Sequence, residues 1–222
     1  MPGLIPLWKL RRELVRLGTR ISQLPATLAA LPVRLGEPKR RARYERDFDR
    51  LTRLTEGGRA NCGKVAIFLI YQPKGVAASV LATCEWLASE GYAPFVVSNG
   101  MLDDGSRALL TAQSWRLLER PNFGYDFGGY RDAILLLSRW GVAPERLAMM
   151  NDSIWLPMVP DLMARIERRA DAADIIGLLQ DEKVRHDTGG GQPTDQRHLG
   201  SFFYLFTPQA LQHPDFRAFW RD

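Results

Sequence analysis

Cysteine is scarce in this 222-residue chain: Cys62 and Cys84 are its only two. Two cysteines so far apart build neither a disulfide framework nor a zinc ribbon, so a reducing compartment is expected. Histidine is scarcer than most polar types, with three copies at His186, His198 and His213 and no zinc-type spacing among them. No window reaches the roughly 18 consecutive apolar residues that a membrane-spanning helix needs. The apolar-rich stretch 21–35 is interrupted by Pro25 and Pro32, so neither a span nor a secretory leader is expected. Three phosphate and hydrolase signatures are also missing. There is no G-x-x-x-x-G-K-S/T loop, no dinucleotide-type glycine spacing and no G-x-S-x-G elbow. Lys and Arg do not interleave the aromatic runs, so no base-stacking platform and no nucleic-acid partner are expected.

What the chain does have is unevenly placed charge. The net charge is +5, yet residues 1–60 carry 14 Lys and Arg against 6 Asp and Glu. The remaining residues carry 16 against 19 and are mildly acidic. Leu7, Leu10, Leu14 and Leu17 recur at helical steps with Lys9, Arg11, Arg12, Arg16 and Arg20 between them. That pattern suits the interfacial plane of an anionic membrane, and equally a helix packed on the body with a solvated basic face. Residues 36–60 are charge-rich and end in Glu56-Gly57-Gly58-Arg59, which reads as a linker. The expected organisation is a basic helical arm and linker over 1–60, followed by one domain over 61–222.

The body alternates in type. The seven-residue apolar run 65–71 predicts a buried strand, and a helix over 77–89 follows. Strands are expected over 94–98, 115–118 and 147–150, separated by a helix over 103–113 and by a glycine-rich turn over 124–129 that opens another helix. This order predicts an α/β fold, a Rossmann-like mostly parallel sheet flanked by helices. Further on, a helix is expected over 162–169 and strands over 175–179 and 201–206. A final helical stretch over 209–220 should break at Pro214. The polar stretch 180–198 holds Gly189-Gly190-Gly191 and reads as a long mobile loop, a candidate lid.

Open parallel sheets bind ligands outside the carboxyl ends of their strands. Four polar or glycine-bearing segments should meet there: 71–75, 98–100, 122–126 and 151–153. Gly124, Gly128 and Gly129 would let backbone approach a ligand. Asp126 suits a helix N-terminus, either as a ligand-binding group or as a cap. Asp152, at the end of a buried strand, is well placed to hold a hard divalent cation against phosphate, or to cap a turn.

The segments VAIFLIY (65–71), FVVSNG (95–100), RPNFGYDFGGYRDAI (120–134), MMNDSIWLP (149–157), HLGSFFYLF (198–206) and FRAFW (216–220) together resemble the rhamnan synthesis F family of bacterial polysaccharide proteins. More distantly, the chain is similar to GT-A glycosyltransferases of the large inverting family 2. The resemblance implies a GT-A-type domain that moves a sugar, with rhamnose the first candidate, from a nucleotide diphosphate sugar to a growing cell-surface polysaccharide or lipopolysaccharide O-antigen. Asn99, Asn122, Gly124, Tyr125, Asp126, Asn151 and Asp152 would bind the donor. Asp152 would hold a divalent metal, Mg²⁺ or Mn²⁺. The acceptor would be a glycan or a lipid-linked glycan, and Asp181, Asp187, Asp195 or His198 would supply the general base. A cytoplasmic protein, peripheral on the inner membrane, is implied. Two departures stand out: the D-x-D-type motif keeps one carboxylate, as Asn151-Asp152-Ser153, and Asn99 stands where an acid is expected. The missing second acid and the early C-terminus favour the rival expectation of a non-catalytic module in a polysaccharide assembly complex. The family pattern also runs past FRAFW, so the domain may be C-terminally incomplete.

Overall fold

A computed structural model describes residues 36–170, 172–178, 180–185 and 194–221, with backbone alone over 180–185 and 194–198. The basic arm over residues 1–35 lies outside the described residues. The chain divides into two compact units, one comprising Asp49–Gln180 with Leu199–Asp222, the other comprising residues up to Phe48 with Asp181–His198.

The larger unit holds a seven-stranded sheet of strands β1 (Arg53–Glu56), β2 (Lys64–Ile70), β3 (Tyr92–Ser98), β4 (Arg116–Glu119), β5 (Arg146–Asn151), β6 (Ile175–Gly177) and β9 (Phe203–Phe206). Their spatial order is β1-β4-β3-β2-β5-β9-β6. The four inner strands β4, β3, β2 and β5 run parallel, while β1, β9 and β6 join by antiparallel pairing. The fold is therefore the expected α/β class. Strands buried on both faces are rich in apolar residues throughout, as β2 and β3 are.

Helices cover both faces. They are α1 (Ala78–Ser89), α2 (Asp104–Gln113), α3 (Tyr125–Arg139), α4 (Leu162–Arg169), α5 (Pro208–Gln212) and α6 (Pro214–Arg221). On one face Ala66, Phe68 and Ile70 of β2 and Ala148 and Met150 of β5 pack with Val80, Cys84 and Leu87 of α1 and Met163 and Ile166 of α4. The alternate residues face α3, whose Tyr130, Ala133 and Leu137 are buried. Local chemistry sets the ends. Asp103 caps α2 by accepting from the Ser106 N–H at 2.8 Å, and Thr207 caps α5, with Pro208 in its first turn. The break at Pro214 falls as expected, between α5 and α6.

Two expectations need correction. The stretch 36–60 is not all linker: residues 36–46 are helical, and Arg53–Glu56 forms β1 on the sheet edge beside β4. Edge pairing needs only four residues here, too few to leave a strand signal among so many charges. The stretch 180–198 is not a structureless loop. β7 (Gln180–Arg185) and β8 (Thr194–Leu199) pair as a two-stranded ladder in which the backbone satisfies its own hydrogen bonds despite polar side chains.

Candidate functional site

The strand order fixes where a ligand fits. From β2 the chain lays β3 and then β4 on one side and returns to lay β5 on the other. The topological switch therefore lies between β2 and β5, where the crevice at the carboxyl ends is widest. The two strand ends are tied: the Asp152 N–H donates to Leu69 O at 3.0 Å, and the Asn99 N–H to Ile70 O at 2.9 Å.

Side chains of three of the four expected segments form one chain of contacts at this edge. Asp152, half-buried, accepts on Oδ2 from the Tyr71 N–H at 3.0 Å and from Gln72 Nε2 at 2.8 Å. Its neighbour Asn151 is buried, donates from Nδ2 to Asp126 Oδ2 at 2.8 Å, and accepts on Oδ1 from the Ser153 N–H at 3.1 Å. Asp126 thus reaches from the first turn of α3 across to the end of β5. The two carboxylates Asp126 and Asp152 flank one asparagine. The Tyr130 hydroxyl lies beneath them and donates to Ser201 O at 3.2 Å. Burial raises the Tyr130 pKa well above the ordinary phenol range, and the negative charges of Asp126 and Asp152 add to the rise. It stays a neutral donor throughout the physiological range.

The fourth segment closes the site through a residue that sequence reasoning missed. Arg120, directly after β4, is fully buried. Its Nε donates to Asp132 Oδ2 at 2.6 Å, Nη1 to Asn99 Oδ1 and Nη2 to Phe123 O. A charged residue immediately after a buried strand, inside the ligand-edge loop, was the available signal. Asn99 is itself buried, and its Nδ2 faces Tyr125 O at 3.4 Å. Gly124 takes φ 74° and caps α3, and Tyr125 takes φ 52°, left-handed for a bulky residue and three-quarters exposed. Such strain collects at functional edges.

Two glycine assignments change. Gly128 and Gly129 lie within α3, and each is pressed against protein. A Cβ at Gly128 would stand 2.1 Å from Phe123 O, and one at Gly129 would stand 2.3 Å from Leu69 Cδ1. They admit neighbouring chain, not ligand. Asp126 is not the cap of α3 either, since Gly124 holds that position. Asn122 is exposed on the loop before α3.

Of the expected bases, Asp187 lies outside the described residues, and Asp181, Asp195 and His198 lie on β7 and β8, where the backbone alone is described. Among the described residues, no three acidic, histidine or cysteine groups cluster as a closed metal site. Asp126 and Asp152, linked through Asn151 at one sheet edge, would suit Mg²⁺ or Mn²⁺, because such ions commonly take one or two protein carboxylates and fill the remainder with phosphate and water. Phe127, next to Asp126, lines with Met149, Tyr204, Phe206, Phe216 and Trp220 an apolar cavity of about 570 Å³. No described helix is long and apolar enough to cross a membrane.

Known proteins bear on this geometry. The chain is 34% identical over 213 residues to the uncharacterized protein y4gN of Sinorhizobium fredii (strain NBRC 101917 / NGR234), covering 96% of this chain. It spans about half of that relative's length, 52%. Among solved structures, it aligns with 4-diphosphocytidyl-2C-methyl-D-erythritol synthase at 15% identity and a TM-score of 0.45, covering 67% of this chain and 78% of the other. Residues 95–222 match the profile of rhamnan synthesis protein F. That span holds Asn99, Arg120, Asp126, Asn151 and Asp152, and the chain belongs to the rhamnan synthesis protein F family.

Proposed function

We propose that this chain is a glycosyltransferase domain that moves a sugar, rhamnose being the first candidate, from a nucleoside diphosphate donor to a growing cell-surface polysaccharide. The observation that carries this reading is the Asp126–Asn151–Asp152 network at the switch point, joined to the loop after β2 through Tyr71 and Gln72. The donor diphosphate would lie over Asp152 and Asp126, with the nucleoside toward Asn99 and the exposed Tyr125 ring. Asp152 and Asp126 would hold a divalent cation. When bound, such an ion supplies charge neutralisation at the diphosphate as it leaves.

The reaction itself is a displacement at the anomeric carbon. An acceptor hydroxyl attacks, its proton passes to a general base, and the nucleoside diphosphate departs with the bonding pair. Attack from the face opposite the leaving group inverts the anomeric configuration. The base is proposed among Asp181, Asp187, Asp195 and His198. Asn151 keeps Asp126 oriented, and Gln72 keeps Asp152 oriented, so both carboxylates are preorganised before substrate arrives. The rival reading, a non-catalytic assembly module, drew on the single acid of the Asn151-Asp152-Ser153 turn. Asp126 supplies a second acid from α3, which favours catalysis. Interfacial attachment at the inner membrane through the basic arm completes the proposal.

The test incubates the purified chain with UDP-, GDP- and dTDP-sugars, with Mg²⁺, Mn²⁺ or EDTA. Nucleoside diphosphate release is followed with and without membrane-derived glycan acceptor. Metal-dependent release from one donor class supports the proposal. Binding of a donor without hydrolysis or transfer supports the module, and binding of no donor refutes both.

A further inference from the structure

We propose that Arg120 is the positioning residue of the donor-binding edge, acting through Asn99 and the turn 123–125. The inference rests on the donor-binding reading above and adds to it a residue outside the acidic network. The guanidinium is fully buried and holds partners 3, 12 and 21 residues away in sequence. Asp132 anchors it to α3. Asn99 at the end of β3 gives it Oδ1, and Phe123 in the loop after β4 gives it a carbonyl.

The geometry restricts what each partner can do. An asparagine amide presents a different group on each side, and its partners decide which way it turns. With Oδ1 held by Arg120, the Asn99 NH₂ is directed at Tyr125 O, 3.4 Å away. With its carbonyl held on the other branch, Phe123 fixes the entry to Gly124 and Tyr125, a left-handed pair whose Tyr125 ring is exposed. Gly128 makes room for this cation, whereas Gly129 stands at ordinary contact distance from it. A Cβ at Gly128 would stand 3.2 Å from Arg120 Nη2, and one at Gly129 would stand 3.6 Å from Nη1. Asn99, Phe123, Gly128 and Asp132 therefore all stand around one guanidinium.

Stability alone is a poor account of the arrangement. A buried ion pair returns little over well-packed apolar side chains of the same volume, because both charges lose their water. A planar fork with donors in several directions, by contrast, fixes the relative position of three segments as no apolar residue or lysine does.

The experiment uses Arg120→Lys, Asn99→Ala and the double variant in the full chain. Affinities for UDP, GDP and dTDP with Mn²⁺ are measured by calorimetry beside melting curves. Arg120→Lys is expected to weaken the nucleotide that binds wild type by about tenfold, the scale on which losing an outer partner weakens a site. The double variant should bind more tightly than the product of the two single losses predicts, because Arg120 acts in part through the Asn99 side chain. Affinity losses that multiply in the double variant, or unchanged affinity in Arg120→Lys, overturn the proposal. If Arg120→Lys does not fold, Asp132→Asn replaces it with the same expected direction. A readout free of nucleotide is amide hydrogen exchange: the variant should speed exchange over 122–126 while β2 and β5 stay protected. Uniform acceleration across sheet and edge overturns the proposal. Failure of all three nucleotides to bind wild type would remove the donor reading, and the exchange pattern would still decide the role of Arg120.

Discussion

Replacing Asp152 by Asn separates the chemical role of this carboxylate from its structural one. The structural role is visible: Oδ2 accepts from the Tyr71 N–H and from Gln72 Nε2. An asparagine Oδ1 can accept both bonds, but without charge. A hydrogen bond to a charged group contributes roughly 1.5–3 kcal/mol and a neutral one about 1 kcal/mol. Asp152 is only half-buried, which puts the loss near the low end, at about 1 kcal/mol. For a domain of this size that corresponds to a fall of about 2–4 °C in Tm. The chemical role is larger. The proposed cation site at Asp152 and Asp126 would depend on charge that Asn cannot supply. A loss of two orders of magnitude in rate corresponds to about 3 kcal/mol of transition-state stabilisation, at about 1.4 kcal/mol for each tenfold. Gln72→Ala is the internal control, because it removes one bond to the same oxygen and leaves the charge. Initial rates of nucleoside diphosphate release are measured against donor and against Mg²⁺ or Mn²⁺, with melting curves for both variants. Asp152→Asn should lose about a hundredfold or more in rate, while Gln72→Ala loses less than about tenfold at a similar Tm. Equal rate losses in the two variants, or near-normal activity of Asp152→Asn with unchanged metal dependence, refute the assignment.

Gly128→Ala should lower stability by about 1–3 kcal/mol of overpacking, offset by roughly 1 kcal/mol of helix propensity, because its Cβ meets the Phe123 carbonyl; a melting curve at or above wild type would contradict this packing. Burial pushes the Cys84 thiol up from 9.0 to about 12. Its contribution to stability is therefore complete below pH 9.0 and is lost as pH rises toward about 12; Tm measured from pH 8 to 11 should fall, and fall less steeply in Cys84→Ala. At pH 8 a thiol reagent should modify exposed Cys62 quickly and Cys84 only on unfolding, and two fast thiols would count against a buried Cys84. The arm should give reversible binding to anionic vesicles, with each Lys or Arg near the surface contributing about 1 kcal/mol, and equal sedimentation with neutral vesicles would exclude it.

The central sheet was legible because its strands declare themselves without help from tertiary context. A seven-residue apolar run such as β2 has no amphipathic alternative, and the helices between such runs force parallel pairing. Edges were not legible. β1 is four residues of mixed polarity, paired only because β4 offers an open edge. β7 and β8 are polar strands whose backbones pair with each other, so neither carries a hydrophobic pattern. Within the site, strand ends foretold where Asn99, Asn151 and Asp152 would gather, since a buried strand dictates where its last residue emerges. The partner of each could not be read the same way, because hydrogen bonds between residues 25 or 81 apart, such as Asn151–Asp126 and Tyr71–Asp152, follow from strand order and not from spacing.

The glycine-rich segment shows why residue type alone misleads about purpose. Glycine in a loop at a ligand edge admits a ligand and admits a neighbouring backbone for the same reason: no Cβ stands in the way. Sequence cannot say which of the two approaches. Here helix α3 begins one turn earlier than a glycine-rich loop would suggest, at Tyr125, and that shift carries Gly128 and Gly129 from the cleft into the packing against Phe123 and Leu69. The same shift leaves Asp126 in the first turn, free to cross to Asn151, and so returns to the cleft a second carboxylate that the Asn151-Asp152-Ser153 turn lacks. On the proposed reading the acid missing from one motif is supplied by another, and Asn151 at the end of β5 ties the two together through its bond to Asp126.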